Sequence, residues 1–373
     1  MPVFSLHQDA ALKAIAGWLK QKPGSRGGAP QIFRLFGYAG TGKTMLARHI
    51  ADGVDGTVKF AAFTGKAAQV MRGRGCDGAT TIHSLIYRAR ETGEEQPSFE
   101  LWDDAPAAKA RLIIIDECSM VDAELGRDLL SFGVPLIVLG DPAQLPPISG
   151  GGFFTDARPD AMLTEVHRQA QDDPIVRLSM DVREGRMLDI GRYGESEIVP
   201  RDMLDPARVP AADQVLVGRN ATRRAYNNRL RERLGITDAL PVAGDRLVCL
   251  RNNRRKMLFN GGLWKVRERT ASKSRLITMR IVPNEETGAA RAKPAKVTVR
   301  PECFDGTIND VPWDNRRPYD EFDYGYVLTV HKAQGSQWDD VVLFDESAAF
   351  PDGRARWLYT GITRAAQRLT IVV

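Results

Sequence analysis

The sequence predicts an α/β protein with two parallel sheets, one in each half, and a small all-β insertion in the second. Two observations carry this. Short apolar runs alternate with helical stretches, at residues 32–36, 58–63, 112–115 and 136–139, and again at 215–217, 326–330, 341–344 and 369–373. Runs of strand length separated by helices are the pattern of a parallel sheet buried on both faces. In addition, 373 residues at 43% hydrophobic and 27% charged are ordinary globular material, sufficient for more than one core.

The elements follow in order. Residues 5–20 read as a helix with Leu12, Ile15, Ala16 and Leu19 on one face. Ser5-Leu-His-Gln8 is an S-x-x-Q capping box at its start. Residues 22–30 (KPGSRGGAP) form a Gly- and Pro-rich loop. The strand at 32–36 leads through a glycine-rich turn into a helix at 45–51, and the strand at 112–115 leads into a helix at 121–130. Residues 88–111 are acidic and irregular, centred on Phe99, Leu101 and Trp102. Residues 245–319 hold β-like pieces at 246–250, 263–267, 276–282 and 296–300, with turn chemistry between them. No tandem repeat or long low-complexity tract interrupts this order.

Composition narrows the function classes. No apolar run approaches the length of a membrane span, and no basic stretch followed by an apolar one marks a secretory leader. The four cysteines, at 76, 118, 249 and 303, form no CxxC pair. A metal ribbon or disulfide scaffold is therefore not expected, and a reducing, cytoplasmic setting is. The net charge is +5, but residues 219–275 hold 16 basic against 4 acidic residues. A basic segment on a mildly acidic body reads either as a footprint for a polyanion or as a solvated arginine-rich surface.

Gly37-Tyr-Ala-Gly-Thr-Gly42-Lys43-Thr44 fits G-x-x-x-x-G-K-[ST], following a strand and opening a helix. Its glycines let backbone N–H groups curl around a β-phosphate, and the helix N-terminus adds its positive end. Lys43 would neutralise the β- and γ-phosphates, and the Thr44 hydroxyl would ligate Mg2+. Asp116-Glu117 ends the third apolar run, at the sheet rim where such folds bind ligands. Asp116 is expected to hold Mg2+ and Glu117 to orient the attacking water. Taken alone, the pair also reads as helix-capping acids. Gln144, in the polar turn after the strand at 136–139, suits a sensor of the γ-phosphate and its water. Taken alone, it reads better as an amide satisfying turn backbone.

With these in place the chain resembles superfamily 1 helicases of the RecD/Dda-like branch, which moves 5′-to-3′ on DNA. GYAGTGKT (37–44) resembles motif I, FTGKAA (63–68) motif Ia, TIHSL (81–85) the next DNA-contact motif, and IIIDECSMV (113–121) motif II. LGDPAQLPPI (139–148) is similar to motif III, LTEVHRQ (163–169) to motif IV, TVHKAQGSQWDDVV (329–342) to motif V and YTGITRA (359–365) to motif VI. Eight motifs in this order over nearly the whole chain are highly specific.

The resemblance implies two RecA-like P-loop domains with ATP between them. Residues 1–87 and 112–150 would form domain 1A, and 88–111 a small 1B insertion with Phe99 and Trp102 as wedge candidates. Residues 151–244 and 320–373 would form domain 2A, and 245–319 an SH3-like 2B module. Arg168 and Arg364 would reach the γ-phosphate. Gln8 would grip the adenine edge, and Gly37, Ala39, Gly40, Thr41, Gly42, Lys43, Thr44 and Gly335 would line the nucleotide. Phe63, Thr64, His83, Thr329 and His331 match positions facing single-stranded DNA. The basic turn at 251–256 falls in the 2B module, lining the strand's exit or forming a solvated hairpin tip. Trp338 reads as core or interface rather than a base platform. The partners implied are single-stranded and forked duplex DNA, with replication or recombination proteins beyond them and no membrane. A non-unwinding translocase and a P-loop kinase or nucleotide-gated module are the rival readings.

Overall fold

The computed structural model describes residues 4–25, 27–89, 99–146, 152–166, 172–251, 253, 256, 258, 260–270, 275–284 and 294–373. The chain divides into two compact units. The first comprises Met1–Arg88, Phe99–Leu188 and Ala355–Thr363; the second is built mainly from Asp189–Arg354 and Arg364–Val373.

In the first unit the strands are β1 (Ile32–Gly37), β2 (Val58–Ala62), β3 (Thr80–Thr81), β4 (Tyr87–Ala89), β5 (Phe99–Leu101), β6 (Leu112–Asp116), β7 (Leu136–Gly140) and β8 (Ala161–Leu163). Six of them form a parallel sheet in the order β3-β2-β6-β7-β1-β8. β6 and β7 are apolar and buried almost throughout, as strands covered on both faces must be. The helix Leu6–Lys20 starts with the expected capping box: Gln8 N–H donates to Ser5 Oγ at 3.3 Å and Ser5 N–H donates to Gln8 Oε1 at 3.0 Å. Its buried stripe is Gln8, Ala11, Ile15 and Trp18 rather than the one centred on Leu12, Ala16 and Leu19. The face turns because Trp18 offers the larger apolar surface and its Nε1–H reaches Pro30 O at 2.7 Å.

The domain boundary expected at 150 falls inside this unit. β8 pairs in parallel with β1 through Leu35↔Ala161 and Gly37↔Leu163, and the helix Pro174–Arg183 follows it within the same unit. Three residues make too short and ordinary a run to be seen as an edge strand in sequence. β4 and β5 form a separate two-stranded ribbon where the 1B insertion was expected. Trp102 packs against the first unit's core, and its N–H donates to Ile86 O at 3.1 Å. The Phe99 side chain lies outside the described residues.

The second unit carries β9 (Gly191–Tyr193), β10 (Ser196–Val199), β11 (Gln214–Val217), β12 (Arg246–Cys249), β13 (Leu263–Thr270), β14 (Ile277–Pro283), β15 (Ala295–Val299), β16 (Phe322–Tyr324), β17 (Val327–Thr329), β18 (Trp338–Phe344) and β19 (Ala365–Val372). One sheet runs β17-β11-β18-β19-β10-β9, parallel except at the β9 edge. The insertion is an antiparallel sheet in the order β15-β14-β13-β12-β16. Its fifth strand, β16, comes from beyond the boundary expected at 319. Both sheets share one apolar core, in which Val215, Val327 and Val342 join Leu247, Trp264, Met279 and Val297. Trp338 is buried, as expected.

Much of the basic segment's charge is used internally. Arg223 pairs with Asp323 at 2.7 Å and Arg231 with Asp245 at 2.9 Å, both buried. Arg251 meets Glu321 at 3.1 Å, Lys256 meets Asp320 at 2.5 Å and Arg269 meets Asp238 at 2.6 Å. Three of these acids lie in 320–323, far along the chain, so a local charge count overstates the exposed excess. Residues 254 and 255 of the basic turn lie outside the described residues. Among the described residues no helix is long and apolar enough to cross a membrane.

Candidate active site

The glycine-rich turn between β1 and the helix Lys43–Asp52 sits at the carboxyl edge of the first sheet. Two glycines are required by contact. A Cβ on Gly37 would lie 2.7 Å from Thr41 Oγ1 and 2.8 Å from Leu163 Cβ. Gly42 has φ +79°, and a Cβ there would meet Gln8 Nε2 at 2.8 Å. The fully buried Thr41 braces the loop by donating its hydroxyl to Tyr38 O at 2.8 Å. The Lys43 ammonium donates to Gly37 O at 2.6 Å and Tyr38 O at 2.9 Å, which keeps it over the loop.

Gln8 is 1% exposed and serves both the helix cap and this loop, its Nε2 donating to Thr41 O at 3.0 Å. One amide hydrogen and one oxygen lone pair are left for any further contact.

Thr44 opens the helix with its hydroxyl donating to Asp116 Oδ2 at 3.2 Å. A hydroxyl and a carboxylate so placed suit a hard divalent cation that keeps its waters and takes further oxygens from phosphates. Among the described residues no group of three or more His, Cys, Asp or Glu side chains is placed to hold a metal ion. Glu117 stands next to Asp116 with φ 53° and ψ 45°, a left-handed conformation that costs a residue with a Cβ of order 1 kcal/mol or more. Its N–H donates to Asp116 Oδ1 at 2.8 Å. Strain of this kind collects at functional sites, and nothing in the sequence signals it. Gln144 Oε1 is buried and has no hydrogen-bond partner among the described residues, an orphan acceptor at the same sheet edge.

Two further residues reach this edge from the helix Arg354–Ile362. The Tyr359 hydroxyl accepts from Ala39 N–H at 2.8 Å and donates to Asp141 Oδ2 at 2.6 Å. Thr360 Oγ1 accepts from Leu145 N–H at 2.8 Å. Both stand inside the quoted motif VI, but hydrogen-bond partners more than 200 residues away leave no trace in spacing. Arg183 stacks its guanidinium 3.9 Å over the Tyr38 ring and was likewise missed.

The expected nucleic-acid residues fall into two groups. In the first unit Phe63 and His83 bring their rings to 6.0 Å edge-on, at the ends of β2 and β3. Thr64 caps the helix Gly65–Gly73 through Ala67 N–H at 3.1 Å, and Thr81 caps the helix Ile82–Ile86, in which His83 stands. In the second unit Thr329 is buried, and its hydroxyl oxygen accepts from Lys332 N–H at 3.3 Å. His331 lies 5.3 Å from the Phe350 ring, and burial lowers its pKa below the ordinary 6.5. Gly335 has φ +69° in the turn that follows. Arg364 is 3% exposed and its Nη1 donates to Ser336 O at 3.0 Å, beside that turn. Arg168 lies outside the described residues.

Comparison with known proteins adds relatives and fold. Residues 28–201 match the family described as AAA domain, and residues 324–372 match the UvrD-like helicase C-terminal domain. The ATP-dependent RecD2 DNA helicase of Deinococcus radiodurans is 28% identical over 362 residues, covering 90% of this chain and 46% of that protein. The ATP-dependent DNA helicase dda of Enterobacteria phage T4 is 35% identical over 165 residues, covering 40% of this chain and 37% of that protein. The chain thus spans less than half the length of these relatives. The Pif1 helicase from Bacteroides, crystallised with ADP-AlF3 and single-stranded DNA, superposes with a TM-score of 0.54 at 18% identity, over 99% of this chain and 92% of that one. That likeness concerns the fold, a two-domain RecA-like arrangement. Motif order and relatives make this chain similar to the RecD-, Dda- and Pif1-like proteins of helicase superfamily 1.

Proposed function

We propose that the chain is an ATP-dependent DNA helicase that translocates 5′-to-3′ on single-stranded DNA and unwinds duplex ahead of it. One observation carries the hydrolytic part: a phosphate loop, the Thr44–Asp116 pair and the orphan Gln144 Oε1 share one sheet edge. Relatives named ATP-dependent DNA helicases support the choice of nucleotide and track.

In this reading the amides of Gly40, Thr41, Gly42, Lys43 and Thr44 cradle the β-phosphate, while the Lys43 ammonium swings from its carbonyls to the β- and γ-oxygens. Gly37 and Ala39 shape the loop. Gln8 contacts the adenine with what remains of its amide, and Gly335 lets its turn approach the nucleotide. Thr44 and Asp116 would hold Mg2+, which when bound would supply charge neutralisation at the phosphates. Glu117 orients water and takes its proton; Gln144 holds that water against the γ-phosphate. Arg364 and Arg168 stabilise the developing charge, a role worth roughly 10³–10⁵ in rate in related systems. Phe63, Thr64, His83, Thr329 and His331 line the strand, rings offering stacking surfaces and hydroxyls meeting phosphates. The same reading divides the chain into domains 1A, 1B, 2A and 2B, with 1A extended to include β8 and the helix Pro174–Arg183.

ATP turnover with and without single-stranded DNA tests the reading. DNA should raise turnover, because a track that favours the hydrolysing state must also be favoured by it. Lys43→Ala should lower turnover by about 10²-fold or more while the chain stays folded. Full turnover in that variant would overturn the assignment.

A further inference from the structure

We propose that Tyr359 and Thr360 are positioning residues for Gln144, together fixing the turn that carries it against the phosphate loop. The inference deepens the hydrolytic reading above and rests on it. The turn 141–145 is held at both ends by consecutive residues of one helix. At its start Asp141 Oδ2 accepts from the Tyr359 hydroxyl at 2.6 Å; at its end Leu145 N–H donates to Thr360 Oγ1 at 2.8 Å. Between these anchors Ala143 N–H donates to Asp141 Oδ1 at 3.0 Å and Gln144 N–H donates to Asp141 O at 3.2 Å. The backbone around Gln144 therefore has little freedom while both hydroxyls are in place.

The same Tyr359 oxygen takes the Ala39 N–H at 2.8 Å. One buried atom thus ties the third residue of the phosphate loop to the turn that carries Gln144, by direct hydrogen bonds. Tyr359 is 1% exposed and Thr360 fully buried, so bulk water cannot replace either hydroxyl cheaply. Burial beside the Asp141 carboxylate pushes the Tyr359 pKa far upward, so its proton stays available for donation. Thr360 is itself held, its hydroxyl donating to Arg356 O at 2.7 Å one helical turn back. Neither residue needs to touch nucleotide. Each acts through the placement of Gln144.

The test is steady-state ATP turnover of the full chain with saturating single-stranded DNA, for Tyr359→Phe, Thr360→Val, Thr360→Ser, Gln144→Ala and the double variant Tyr359→Phe/Gln144→Ala. Tyr359→Phe should lower kcat about tenfold or more while KM for ATP stays within about twofold, since ground-state phosphate contacts remain. Thr360→Val should behave alike, and Thr360→Ser, which keeps the hydroxyl, should recover most of the loss. The double variant should be no slower than Gln144→Ala alone, because the tyrosine acts through the amide. A wild-type kcat in Tyr359→Phe, or losses that multiply in the double variant, overturns the inference. If Tyr359→Phe fails to fold, the Val/Ser pair at 360 decides: equal kcat in the two variants counts against it. A wild-type chain without ATP turnover refutes the hydrolytic reading itself, whereas an active wild type with an unaffected Tyr359→Phe refutes only the positioning role.

Discussion

Asp245→Asn should cost the second unit about 3–5 kcal/mol, the penalty for leaving a buried ion-pair partner uncompensated. Asp245 is fully buried and accepts four hydrogen bonds: from Arg231 Nε at 2.9 Å and Nη2 at 3.0 Å, from the Tyr326 hydroxyl at 2.9 Å, and from Val242 N–H at 2.8 Å. An asparagine offers one oxygen where two were used and turns the other position into a donor facing donors. Arg231, with 5% of its side chain exposed, loses its carboxylate counter-charge and keeps one oxygen of residue 245, Leu240 O at 3.0 Å and the Tyr324 ring at 4.1 Å. At about 2–4 °C per kcal/mol for a unit of this size, the unfolding midpoint should drop by about 6–20 °C. Calorimetry is the assay, because it can separate transitions of the two units. Replacing both partners by apolar residues, Arg231→Met with Asp245→Leu, should recover much of the loss. A loss below about 1 kcal/mol for Asp245→Asn would show that the pair is solvated and the reasoning wrong.

Two smaller predictions concern ionisation. Burial lowers the His331 pKa in the folded state, so below the ordinary 6.5 the unfolded chain binds the extra proton more readily. Stability from this residue is therefore present above pH 6.5 and is lost as pH falls below it; His331→Asn should remove that part of the acid sensitivity in melts from pH 7 to pH 5. Burial also pushes the Cys76 thiol up to about 11 and those of Cys249 and Cys303 up to about 12, with Cys118 higher still. A thiol reagent at pH 8 should find all four cysteines silent in the folded chain and reactive after denaturation; rapid labelling of the native protein would contradict their burial.

The parallel strands were legible because each interior strand is a bounded apolar run, as at Leu112–Asp116 and Leu136–Gly140. The phosphate loop was legible because its glycines answer steric demands that no other residue meets. Elements held mainly by tertiary contact were not. β8 is three residues that become a strand only by pairing with β1, and β16 lies outside the segment whose sheet it completes. The basic run looked like an exposed footprint because the carboxylates opposite Arg223, Arg251 and Lys256 stand at 320–323. At the site, residue types and spacing pointed to Lys43, Thr44, Asp116 and Gln144. The left-handed backbone of Glu117 and the hydroxyl bridge from Tyr359 depend on three-dimensional closure, which spacing does not encode.

The central claim, a motor driven along DNA by ATP, meets its most direct test when turnover is coupled to release of a labelled strand from duplexes tailed at either end. The account predicts release from the 5′-tailed substrate, little from the 3′-tailed one, and none from either with Lys43→Ala. Turnover indifferent to DNA, with both substrates left intact, would contradict it.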